Sequence, residues 1–282
     1  MTELTRLGGA ASLGQLKEAG ARGHILSAAV REGRLVRPRN GRYALPGIGE
    51  AALTALRTGG RLACVTAART YGLWGGRDER THLLIPPHAG RSAAVDDRTV
   101  RHWRPAERHH EVWRVSLADC LRSVVRCADE ETAVAVLDTA ISSGQMTRHR
   151  LRRIFADEPL QSRNIAKRAR PGSDSGVESV LRQRLTARGH IVEQQLAVDG
   201  VGRVDARVDG VLYLEIDGFE FHADREAFER DRRRDVVMTL RGLPRLRLTA
   251  RQVLRSPEAT VATVEELLGS LEREEFRRAA AG

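Results

Sequence analysis

The stretch from Gly202 to Gly218, GRVDARVDGVLYLEIDG, constrains this chain more than any other, because apolar and polar residues alternate with the two-residue period of a strand on both sides of a turn. Strands over 203–208 and 212–217, joined by the three-residue loop Asp209-Gly210-Val211, put Val208 opposite Leu212, Ala206 opposite Leu214 and Val204 opposite Ile216. One face of that hairpin is wholly apolar. The other pairs Arg207 with Tyr213, Asp205 with Glu215 and Arg203 with Asp217. A two-residue Asp-Gly turn would set Asp205 against Leu214 and Arg207 against Leu212 and so mix the faces; the pattern therefore selects the longer loop. Two carboxylates directly opposite each other destabilise a sheet unless something positive lies between them. A divalent cation meets that need, which makes Asp205 and Glu215 candidate metal ligands.

At 282 residues the chain has room for two or three domains. Its three cysteines, Cys64, Cys120 and Cys127, form no C-x-x-C pair and leave an odd count. That suggests neither a disulfide framework nor a structural zinc site, and fits a reducing compartment. Cys120 and Cys127, seven apart on one helix face, read as buried packing, and the His109-His110 pair as loop. With no leader-like N-terminal segment and no run near the ~18 apolar residues of a membrane span, the expectation is a cytoplasmic protein with no membrane association. The formal charge is +10, carried almost wholly by arginine, since Lys17 and Lys167 are the only lysines. Residues 1–47 carry 8 basic and 3 acidic side chains, 48–172 carry 21 and 14, and 173–282 carry 18 and 20. A basic part followed by a near-neutral, carboxylate-bearing part suits attachment to DNA upstream of a catalytic module; a solvated basic surface gives the same numbers.

Ser12-Leu-Gly-Gln15 reads as a capping box opening a short helix to about Ala19. A second helix, about 22–32, turns Ile25, Ala28 and Ala29 inward and His24, Ser27 and Arg31 outward. The segment 33–46 gives two short strands around Asn40-Gly41, with Arg37, Arg39 and Arg42 near the tip. The whole reads as a winged helix-turn-helix whose DNA-contacting residues are His24, Ser27, Arg31, Arg37, Arg39 and Arg42. On the pattern SLGQLKEAG, helix, RLVRPRNGRYALP, residues 5–47 resemble the N-terminal domain of AbiEi-type antitoxins of bacterial abortive-infection systems. Farther on, helices are expected at about 49–58, 66–74, 117–127, 130–143 and 147–155, with strands around 82–85, 99–104 and 112–115. Residues 161–176 look like an exposed linker. Beyond it come a helix at 174–189, a strand at 191–198, the hairpin, a helix at 225–241, a strand at 245–248 and a helix at 257–278.

On that last module Glu178 shares a helix stripe with Leu181 and Leu185 and points partly inward. Asp217 follows Glu215 on the same strand face, and His222 lies beyond the strand end. Five ordered segments, ESVLRQRL at 178–185, GRVDARV at 202–208, LEIDGFEFH at 214–222, FERDRRRD at 228–235 and LPRLRLTARQV at 243–253, resemble the PD-(D/E)xK restriction-endonuclease-like nucleases, in the branch around very-short-patch-repair endonucleases. The resemblance covers about 174–268. It implies that Asp205 and Glu215 hold Mg2+, with Mn2+ as a substitute, that Glu178 supports the ion through water, and that His222 handles the proton. The general pattern has lysine where Asp217 stands. Asp231 and Asp235 share a face of the long helix beside Arg232, Arg233 and Arg234: either a salt-bridged surface, or Arg234 against the scissile phosphate with Asp231 near His222.

The expected fold class is mixed α/β in a multidomain α+β arrangement: a winged helix at 1–47, a middle α+β region at 48–165, a linker at 166–173 and an endonuclease-like mixed sheet flanked by helices at 174–282. The expected function is a DNA-binding, Mg2+-dependent endonuclease of defence or repair, with catalytic residues Glu178, Asp205, Glu215, Asp217, His222, Asp231 and Arg234. The alternative is an antitoxin-type transcriptional regulator with an inert nuclease fold. DNA is the expected partner, with a cognate toxin or a repair protein beside it.

Overall fold

Helical and strand periodicities alternate along the chain, and the protein is accordingly a mixed α/β, multidomain α+β structure. The computed structural model describes residues 2–86, 97–105, 107–217 and 225–280. They divide into two units, Met1–Val136 with His149–Lys167, and Leu137–Arg148 with Arg168–Gly282.

The first unit opens with α1 (Thr2–Arg6), β1 (Ala10–Ser12), α2 (Leu13–Glu18), α3 (Gly23–Arg31), β2 (Val36–Arg39) and β3 (Arg42–Ala44). Ser12 caps α2 reciprocally: its hydroxyl accepts from the Gln15 amide at 3.2 Å, and Gln15 Oε1 accepts from the Ser12 amide at 2.8 Å. The strands form an antiparallel sheet in the order β1-β3-β2. Leu4, Leu7, Leu16, Leu26, Leu35 and Tyr43 close one apolar core over it. Neither α1 nor β1 is legible in the sequence, each being too short to show a period. The inward residues of α3 are Leu26 and Ala29, whereas Ile25 is 49% exposed. The expected phase was off by one residue, about 100° of helix rotation.

The unit continues through α4 (Glu50–Thr58), β4 (Arg61–Leu62), α5 (Cys64–Thr70), β5 (Thr81–Ile85), β6 (Thr99–Trp103), α6 (Leu117–Cys127), the first half of α7 (Glu130–Ser142, which passes into the second unit at Leu137), α8 (Arg148–Ile154) and α9 (Leu160–Arg168). Strands β4, β5 and β6 form a small sheet, antiparallel between β4 and β5 and parallel between β5 and β6. The strand expected at 112–115 is only a bridge, Leu62 with Arg114, because β4 is two residues long and offers nothing more to pair with. The stretch read as an exposed linker is partly helical: α9 occupies its start, and Ile165, Ala169 and Ser173 are buried. Cys120 is buried as expected, but Cys127 ends α6 exposed.

The second unit carries α10 (Gly176–Ala187), β7 (Val192–Val198), β8 (Gly202–Val208), β9 (Leu212–Asp217), α11 (Arg225–Leu240), β10 (Arg245–Thr249), α12 (Ala250–Arg255) and α13 (Pro257–Ala280). Its sheet runs β10-β9-β8-β7, antiparallel except that β10 lies parallel to β9. The hairpin turns through Asp209 (φ 50°) and Gly210 (φ 73°), both left-handed, and the Val211 amide donates to the Val208 carbonyl at 3.0 Å. Val208 faces Leu212, Arg207 faces Tyr213 and Ala206 faces Leu214, the register that the binary pattern demands. Val204, Val208, Leu212 and Leu214 are fully buried, each such side chain worth about 1.5–3 kcal/mol. Helix α11 packs Val237 and Met238 against Val201, Val204 and Tyr213. Helix α12, absent from the sequence reading, carries a capping box of its own, Thr249 with Gln252. This unit also holds a buried charge: Asp138, 0% exposed, accepts from Arg182 Nη2 at 2.7 Å and Ser179 Oγ at 2.6 Å through one oxygen, and from the Arg170 amide at 2.8 Å through the other. Among the described residues no helix is long and apolar enough to cross a membrane.

Candidate functional site

Alternation along β9 buries Leu214 and turns Glu215 and Asp217 to the other side of the sheet, where Arg234 of α11 pairs with Glu215 and Arg247 of β10 with Asp217; Asp205 lies beside them on β8. The ladder between β8 and β9 has paired residues only as far as Ala206 and Leu214. Asp205 and Glu215 are therefore not a ladder pair; instead Asp205 Oδ2 accepts the Ile216 amide at 2.7 Å, its carboxylate replacing a backbone acceptor. Burial pushes the Asp205 carboxyl above the usual carboxylate range, against the opposing pull of the Ile216 amide and of the Arg234 charge. Opposite it, Gln195 of β7 sits in left-handed backbone (φ 53°) and drops out of the ladder between Gln194 and Leu196.

Gln195 Nε2 donates to Glu178 Oε2 at 2.9 Å, and the Asp174 amide donates to the same oxygen at 3.0 Å. Glu178 is thus a buried residue of the first turn of α10, with Ser175 capping its own amide. Its carboxyl is raised by burial first and, among smaller causes, by the Asp205 charge. Ser175 and Glu178 carry the S-x-x-E signature of a helix start, so part of the inward placement of Glu178 is capping work.

Glu215 Oε1 accepts from Arg234 Nη2 at 2.8 Å, and the same nitrogen donates to the Arg203 carbonyl at 2.7 Å. The positive charge that the hairpin requires is therefore supplied in part by the chain itself. Asp217 pairs with Arg247 at 2.9 Å, and Arg203 with Asp174; the expected cross-strand pair of Arg203 with Asp217 does not form because each is drawn to a partner off the hairpin. Asp235 is held by Arg245 at 2.9 Å and lies 3.6 Å from Arg232, while Arg234 turns to Glu215. His222 and the side chain of Asp231 lie outside the described residues. Glu178, Asp205 and Glu215 do not bring their oxygens together as one group of three within 4.8 Å.

In the first unit His24, Ser27 and Arg31 are exposed on α3, and Arg37 and Arg39 are exposed on β2. Arg37 is braced by the Asn40 side-chain oxygen and lies 5.7 Å from the Tyr43 ring centre. Arg42 is half-buried, its guanidinium held below the usual arginine range by burial and then by the charges of Arg61 and Arg39. Arg61 belongs to β4, so this crowding of cations is invisible in the wing sequence alone.

No protein-family model matches the chain, and no curated protein matches it. Among solved structures, the RV2827C protein from Mycobacterium tuberculosis aligns with 59% of this chain and 75% of its own, at 19% identity and a TM-score of 0.28.

Proposed function

We propose that this is a DNA-binding protein whose sheet domain hydrolyses DNA phosphodiesters with Mg2+, in defence or repair, in the manner of the very-short-patch-repair nucleases it resembles. The observation that carries the reading is the placing of Asp205 and Glu215 on adjacent strands of a mixed sheet, with Arg234 bonded to Glu215 and its charge felt by Asp205, and with the buried Glu178 close enough to feel the Asp205 charge. The donor set fits the ion: carboxylate oxygens suit Mg2+ and Mn2+. Asp205 and Glu215 would hold it, and when bound it supplies a Lewis acid for a phosphoryl oxygen and a more acidic water.

The chain's own residues do the rest. Arg234 and Arg247 are planar cations beside the carboxylates and suit bidentate contact to a phosphate. Gln195 and the Asp174 amide hold the Glu178 carboxyl, which feels the Asp205 charge. Holding a cation requires the ionised form of Asp205, and burial raises its pKa, so activity rises with pH through that raised value. The proton-handling role stays with His222 as an expectation of the resemblance.

One observation favours the second reading, a regulator of the antitoxin kind with an inert nuclease fold and a toxin as partner. Where the family pattern has lysine, Asp217 stands, tied to Arg247.

Both readings dock DNA on the winged helix. Replacing Arg37, Arg39 and Arg42 together by alanine is expected to weaken DNA binding and to reduce the slope of log affinity against log salt by roughly two to three. Fluorescence anisotropy across a salt series measures both quantities, and an unchanged slope would place the docking surface elsewhere.

A further inference from the structure

The first unit assembles four side chains that the sequence reading did not connect. Cys64 opens α5, His82 lies on β5, His102 on β6, and Cys127 ends α6. Their ligating atoms, one per residue, all lie within 4.8 Å of one another. His82 Nδ1 is 3.2 Å from His102 Nε2 and 3.6 Å from Cys127 Sγ. A tetrahedral zinc ion with Zn–N near 2.05 Å and Zn–S near 2.3 Å sets its ligand atoms roughly 3.3 Å (N to N) and roughly 3.6 Å (N to S) apart. The observed spacings are those edges.

Two further features prepare the site. His82, 2% exposed, has its other ring nitrogen, Nε2, 3.1 Å from Asp78 Oδ2. A proton on Nε2 is then shared with the carboxylate, and Nδ1 turns a lone pair toward the cluster. This is the carboxylate–histidine arrangement that fixes the tautomer of metal-binding histidines. Asp78 is itself held by Arg80 at 2.7 Å. Cys64 has φ 51°, a conformation unfavourable for a side chain of its kind, and is kept there by the hydrogen bond that its amide N–H donates to Ser123 Oγ at 2.9 Å and by Cys120 Sγ donating to its carbonyl at 3.5 Å. Strained backbone that neighbouring groups hold in place commonly marks a functional position.

We propose that Cys64, His82, His102 and Cys127 bind one zinc ion in a tetrahedral Cys2His2 site, with Asp78 orienting His82. The set closes all four positions with protein ligands, which is the structural rather than the catalytic arrangement. It ties β5, β6, α5 and α6 together. Thiolate and imidazole together select Zn2+ over Mg2+, so this site is distinct in chemistry from the carboxylates of the sheet domain and does not depend on how those function. A second cluster, His109, His110 and Glu111, carries no such proposal, because Arg114 already grips Glu111.

The test uses the full chain, purified reduced and without chelator. About one zinc per chain is expected by elemental analysis. After removal of zinc, titration with Co2+ is expected to give the strong visible bands of a tetrahedral site with thiolate-to-metal charge transfer in the near ultraviolet, both erased by adding Zn2+. Cys127→Ser, at an exposed helix end where packing is undisturbed, is expected to lose about half of the charge-transfer intensity. Asp78→Asn is expected to keep that intensity but to weaken metal affinity about 10–100-fold. Metal-free protein that gives no such spectrum with cobalt, or a spectrum unchanged by Cys127→Ser, would each overturn the assignment.

Discussion

Replacing Arg182 by methionine is expected to destabilise the protein by about 3–5 kcal/mol at neutral pH, because it leaves a buried carboxylate without its counter-charge. Asp138 is 0% exposed and Arg182 only 6%, so water cannot take the place of the guanidinium. The Ser179 hydroxyl and the Arg170 amide would remain, and the Arg170 guanidinium still feels the Asp138 charge, but Arg182 Nη2 is the cation that contacts the carboxylate. The effect carries a pH signature. Burial already raises the Asp138 carboxyl above its ordinary value even with Arg182 in place. A carboxyl with a raised folded-state pKa penalises the fold as pH climbs from the unfolded value through the raised one, and relaxes that penalty as pH falls. Removing Arg182 pushes the folded-state pKa higher still, so the variant should approach the wild type in acid. Denaturant midpoints near pH 7.5 and near pH 5 check this; a loss that does not change with pH would mean that lost packing, not the stranded charge, is responsible. Asp138→Leu with Arg182→Met is expected to recover most of the stability.

Glu215→Gln is expected to reduce metal-dependent DNA cleavage by about 100-fold or more while leaving DNA affinity intact. The substitution keeps size and shape, and an amide oxygen can still accept from Arg234, which now donates to Glu215 at 2.8 Å. What disappears is the negative charge that the cation needs. Initial rates of plasmid nicking and binding isotherms, measured on the same preparations, separate the two effects. Full retention of cleavage would remove Glu215 from the site. A parallel loss of affinity would show instead that Arg234, released from its partner, had distorted the surface.

The hairpin was legible because its period-2 pattern leaves one register that keeps an apolar face whole, and that register is found from Ala206–Leu214 to Val208–Leu212. The demand for positive charge beside Asp205 and Glu215 was legible too, but not its source. Arg234 lies on a helix with three consecutive arginines, Arg232, Arg233 and Arg234, and which of them turns inward depends on how α11 docks, which no local pattern encodes. The departure of β8 from β9 at Asp205 was hidden for the same reason: a side chain takes over the Ile216 amide. The Cys64, His82, His102 and Cys127 cluster left no spacing signature, since its members are scattered over four elements with no C-x-x-C or paired histidines among them. Only the parallel pairing of β5 with β6, which sets Leu84 beside His102 and His82 beside Val100, brings the two histidines to one face. Helix α12 was missed although a signal for it stands in the sequence: Thr249-Ala-Arg-Gln252 is a capping box of the same kind as the one at Ser12.

The most direct test of the proposed activity is cleavage of supercoiled plasmid and of mismatched duplex by the purified full chain with Mg2+ or Mn2+, beside Asp205→Ala and chelator controls. Metal-dependent nicking that vanishes in the Asp205→Ala protein is the predicted result. Tight, salt-dependent DNA binding with no cleavage by the wild-type protein under any of these conditions would contradict it and leave the regulator in its place.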